Sequence, residues 1–234
     1  MSVSRAILAV AISMSLALPA FAQEEAASDY NISQQRAAVA KSERIMAEAT
    51  KRKGLLAQFL YMRDTYSTSN DYPFRVIFNQ YVSWYQTWVG DYDGARATFS
   101  IASQPASDDN ESPLKNGFHP EPAVDVIARL AKGRQAIFLN EAHSNVLTRT
   151  VTVQVLEKLR AEGFDTFAAE TLYDTDKELA KRGFPDSSSG FYTEEPVYAE
   201  MVRTALKLGF KVVPSDATSN ATGNERELEQ ARNL

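Results

Sequence analysis

The stretch Gln135-Ala136-Ile137-Phe138-Leu139-Asn140-Glu141-Ala142-His143-Ser144-Asn145 sets the reading of the whole chain. Its first half is a short apolar run of strand-forming side chains, and its second half turns abruptly polar and ionisable. A buried strand ending in Asn, Glu and His is the pattern of a parallel sheet that delivers functional groups beyond the carboxyl ends of its strands. Working outward, Val146 to Glu162 has amphipathic spacing and stops at Gly163. Phe164 to Ala169 reads as a second strand, Glu194 to Leu208 as a helix stopped by Gly209, and Phe210 to Pro214 as a third strand. Shorter helices are predicted over Val124 to Ala131, Asp174 to Lys181 and Glu225 to Leu234. This alternation predicts an α/β domain over 123–234, a parallel sheet with crossover helices. Three strands make a small sheet for this class, so the reading expects it to be incomplete and the functional protein to continue beyond Leu234.

The three predicted strand ends carry the chemistry. The first ends in Asn140, Glu141 and His143, the second in Glu170, and the third in Ser215 and Asp216. Packing has no use for these side chains at the ends of apolar strands, so their convergence on one rim is the strongest functional signal. Taken singly, each has a plainer role: His143 as a capping or surface residue, Glu170 as a helix N-terminal acid, Asp216 as a turn residue. His119, the other histidine, stands beside Pro120 and reads as structural.

The N-terminal half has a different texture. Ile32 to Met62 shows helical spacing interrupted at Gly54, and Ser67 to Asp71 reads as a loop. In Phe74 to Val89, Phe74, Phe78, Tyr81, Trp84, Tyr85 and Trp88 recur at helical spacing. Gly90 to Ala95 with Phe99 then resembles the turn and second helix of one tetratricopeptide-type hairpin. This all-α region, 32–103, is either a bundle whose aromatics form its core or a docking surface for a protein partner. Residues 104–122 hold Pro105, Pro113, Pro120 and Pro122 among small polar residues and read as a linker.

The extreme N-terminus reads as an export signal. Arg5 supplies a positive start, Ala6 to Leu18 is uncharged and apolar, Pro19 breaks the run, and Ala20-Phe21-Ala22 offers a signal-peptidase site. The run is too short for a stable membrane anchor. Cleavage after Ala22 would leave 23–31 as a flexible arm and place the protein in the periplasm or outside the cell. The formal net charge of −5 argues against nucleic acid as a partner. The absence of cysteine excludes disulfides, thiolate metal sites and a cysteine nucleophile.

Leu139-Asn140-Glu141-Ala142-His143 resembles the Gly-Glu-x-His or Gly-Glu-x-x-His strand-end motif of the superfamily that includes erythromycin esterases, Tiki-type proteases and ChaN-like haem-uptake proteins. Glu170 resembles its second acidic residue, and Arg226 lies on a helix similar to its arginine-bearing one. The likeness covers 136–234. Asn140 stands where glycine is usual, and no histidine follows His143 to match the family's second one. The resemblance implies a hydrolase acting on a small-molecule or peptide substrate. His143 would be the general base, with Glu141 and Glu170 orienting it and raising its pKa, and Asn140, Asp216 and Arg226 would bind. The protease-like version would have Glu141, His143 and Glu170 hold a divalent metal, and the ChaN-like version would make the protein a non-enzymatic haem or iron binder. No Gly-x-Ser-x-Gly elbow surrounds Ser144, so acyl-enzyme chemistry is not expected.

Overall fold

The computed structural model describes residues 32–99, 117–216 and 223–234. The expected export leader, the expected arm after it and most of the expected linker lie outside the described residues. Four helices build the first part: α1 (Ile32–Thr50), α2 (Leu55–Ser67), α3 (Tyr72–Trp88) and α4 (Tyr92–Phe99). The second part runs α5 (Ala123–Ala131), α6 (Leu147–Ala161), β1 (Thr166–Ala169), the one-turn α7 (Leu179–Arg182), a 3-10 turn over Tyr192–Glu194, α8 (Pro196–Lys207), β2 (Lys211–Pro214) and α9 (Asn224–Asn233).

Local chemistry explains the helix starts. Asp71 caps α3 by accepting from the Phe74 amide, with Pro73 in the first turn. Lys41 reaches Asp71 at 3.1 Å and ties α1 to that cap. Asp91 accepts from the Gly94 amide at 3.0 Å and from Gln86 Nε2 at 2.9 Å, which closes the α3–α4 hairpin. Asn79 crosses the hairpin to the Thr98 carbonyl. Of the aromatic residues along α3, Phe74, Phe78, Trp84, Tyr85 and Trp88 are buried core, Tyr81 is half-buried against them, and Tyr72 is exposed.

That core is continuous with the second part. One apolar cluster joins α1, α2 and α3 to Ala169, Leu172, Tyr192, Tyr198, Met201 and Val202. A second gathers Ala131, Val155, Leu156, Leu159, Ala205 and Phe210 from α5, α6, α8 and the approach to β2. Phe167 and Val212, partners in the sheet register, pack against both clusters and join them.

The structure therefore combines a helical region with a small parallel sheet. Among the described residues the sheet has two strands, β1 and β2, paired from Thr166↔Lys211 to Ala169↔Pro214. The predicted strand at 135–139 is not one of them. Ile137 and Leu139 pack against the second cluster, but the segment forms no ladder, and Phe138 is 80% exposed. The helix expected over 174–181 is also displaced. Turns occupy 174–178, and α7 closes at Gly183, whose φ of 77° suits a left-handed C-terminal residue.

Candidate functional site

Both strands end at the same edge, because they are parallel. Ser215 N extends the pairing to the Ala169 carbonyl, so Glu170 and Asp216 emerge side by side. Thr171 then takes a positive φ of 62°, unusual for a β-branched residue. The chain turns back so that the Leu172–Gly190 bridge forms, with Phe191 N bonded to the Thr171 carbonyl. Gly190 is required there, since a Cβ would lie 2.5 Å from the Thr171 oxygen. This return path lays Tyr192 flat against His143, ring centroids 4.9 Å apart at 25°. Trp84 from α3 meets the His143 ring edge-on at 6.5 Å, so the helical region supplies one wall of the site.

At the centre lies Arg149, 1% exposed. The turn at 142–145 brings the first turn of α6 under the Glu141–His143 segment, helped by Thr148 Oγ1 accepting from the Ala142 amide. Arg149 Nε donates to Glu141 at 2.7 Å and Nη1 to Glu195 at 3.1 Å, while Nη2 faces His143 Nδ1 at 3.3 Å. Its guanidinium also sits 4.9 Å from the Tyr192 ring centre. Glu195 is fully buried and serves twice, because its carboxylate also caps α8 through the Val197 and Tyr198 amides.

Outward from this centre the groups become accessible. His143 Nε2 lies 3.6 Å from Glu170 Oε2, and the Glu170 side chain is 45% exposed. Arg226 from α9 stands 3.7 Å from Glu170 and 2.9 Å from Asp216. Gln230 donates to the same Asp216 oxygen, and Tyr198 OH donates to the Glu170 main-chain carbonyl. The structure thus brings together Glu141, His143, Glu170, Asp216 and Arg226. Asn140 is exposed and makes no hydrogen bond within this group of described residues.

The roles differ from expectation. Glu141 bonds to Arg149 and not directly to His143. Nor is the histidine's pKa raised by a carboxylate. Burial, and then the Arg149 guanidinium, push it down to about 4, so the ring is neutral at pH 7. Glu170 moves the other way: burial first, then the Asp216 carboxylate, raise its pKa against the opposing pull of Arg226. Nor do the residues fit a metal. Among the described residues no three of His, Asp or Glu gather as a ligand set, and Arg149 stands between Glu141 and His143 where a cation would have to sit. Haem ligation at Nε2 would require Glu170 to move aside.

Compared with known proteins, the chain matches no family model, no curated protein and no solved structure.

Arg149, Glu195, Tyr192 and Trp84 were not legible as site residues. A signal existed for two of them. Arg149 shares a helical face with Thr152, Leu156 and Leu159, so the periodicity of α6 places a charge among buried positions. Glu195-Pro196 before an apolar run marks a helix start, with the acid at its N-terminus.

Proposed function

We propose that the chain is an exported hydrolase-like protein of the erythromycin esterase and ChaN-like superfamily, in which a His143–Glu170 pair activates water against an ester or peptide bond. The observation that carries this reading is the pair itself: an imidazole kept neutral, 3.6 Å from a half-exposed carboxyl whose pKa is raised and which emerges at the carboxyl end of β1. A carboxylate moved toward neutrality of the solution is a better general base than an ordinary one, and a neutral imidazole beside it can donate or accept. Two parallel strands, β1 and β2, joined through α8, support this reading. The leader at 1–22 supports a site of action outside the cytoplasm. No helix among the described residues is long and apolar enough to cross a membrane.

The test is turnover of a panel of carboxylic esters and peptides by the full chain. Hydrolysis lost by about 10²-fold or more in His143→Ala is the expected result. Turnover that survives this change, or a panel left wholly intact, counts against the reading.

A further inference from the structure

We propose that Arg149 is a positioning residue that holds His143 as its Nε2–H tautomer, leaving Glu170 as the proton acceptor of the pair. A guanidinium carries donors and no acceptor, and it keeps its charge at any pH the fold survives. Its Nη2 faces His143 Nδ1 at 3.3 Å, so Nδ1 offers its lone pair and the single proton of the neutral ring sits on Nε2. Nε2 in turn faces Glu170 at 3.6 Å. A protonated Nε2 has no lone pair with which to take a proton from water, and a proton on Nδ1 would make the ring cationic beside the buried Arg149 guanidinium.

Arg149 has little freedom to leave. Glu141 holds Nε, Glu195 holds Nη1, and the Tyr192 ring lies under the guanidinium while also stacking on His143. Glu195 is itself fixed by the two α8 amides it caps. The whole set orients one face of one imidazole.

The assignment of Glu170 as base rests on the hydrolytic reading; the tautomer does not. In that step a water proton passes to the Glu170 carboxylate and the water oxygen bonds to the carbonyl carbon. His143 Nε2–H donates a hydrogen bond to the oxygen that gains charge. Collapse breaks the bond to the leaving alcohol or amine, which takes the proton back from Glu170.

The chain has two histidines, so nitrogen-15 spectra of the full-length protein resolve His143 from His119 with one variant. At pH 7 the wild type is expected to show a pyridine-type Nδ1 and a pyrrole-type Nε2. The double change Arg149→Met with Glu195→Gln removes the donor without stranding the fully buried Glu195 carboxylate. It should shift the tautomer ratio toward Nδ1–H by about tenfold or more. A wild-type ring protonated on Nδ1, or a ratio unmoved in the variant, overturns the proposal. Should the double variant lose its near-ultraviolet dichroism, Arg149→Lys, which keeps a cation for the two glutamates but not the planar fork, carries the same comparison. Hydrolysis that persists unchanged in Glu170→Gln overturns the base assignment alone. A wild type with the expected tautomer and no turnover sinks the hydrolytic reading and leaves the positioning role standing.

Discussion

At the scale of single residues, His143 and Glu170 are held out of their ordinary ionisation ranges in opposite directions. His143 loses its proton early, titrating near pH 4 where an unfolded histidine titrates near 6.5. The unfolded chain therefore binds the proton first, and this group destabilises the fold as pH falls from about 6.5 towards 4. Glu170, with a raised pKa, has the reverse sign: its neutral form favours the fold, and that contribution is lost as pH rises above the unfolded carboxyl value. Glu170→Gln should accordingly raise the melting temperature at pH 7, a direction opposite to most site changes. In that same variant, where the carboxyl's opposing effect is gone, urea unfolding should lose about 3 kcal/mol between pH 7 and pH 4 through His143. Glu141, His143 and Glu170 were legible because polar groups at the ends of apolar runs are conspicuous. Arg149 was not, because a basic residue on an amphipathic helix reads as solvated until its face is worked out.

At the scale of elements, the return loop after β1 matters most. It carries Tyr192 onto His143 and Glu195 onto Arg149, and it closes over Gly190. Gly190→Ala forces the loop away from the Thr171 carbonyl and should cost about 2 kcal/mol in stability, measured by denaturant titration. The helices were largely readable in the sequence, since Gly163 and Gly209 mark where two of them stop. The strand expected at 135–139 was not, because an apolar run states that a segment is buried on one side and says nothing about whether a neighbour offers it a ladder. Ile137 and Leu139 satisfy the first condition only.

At the scale of the molecule, the helical region and the sheet region share one core. Trp84, 4% exposed, stands at the junction with Tyr192, Phe191 and His143 around it. Trp84→Ala should cost about 3–5 kcal/mol and loosen His143 at the same time. Deleting residues 32–99 should abolish cooperative unfolding of the remainder instead of releasing an intact domain, because Ala169, Leu172, Tyr192 and Met201 would lose the surface they pack against. The change in texture at the proline-rich segment invites a division into separate units. Sequence texture reports local composition, whereas the pairing of two apolar faces across that segment is a long-range fact.

The measurement closest to the central claim is the pH profile of kcat/KM for a hydrolysed substrate, taken for wild type and Glu170→Gln. The rate should rise with pH through an apparent pKa above the ordinary glutamate value and fall by about 10²–10⁴-fold in the variant. Wild-type turnover in Glu170→Gln, with the same profile, would contradict it.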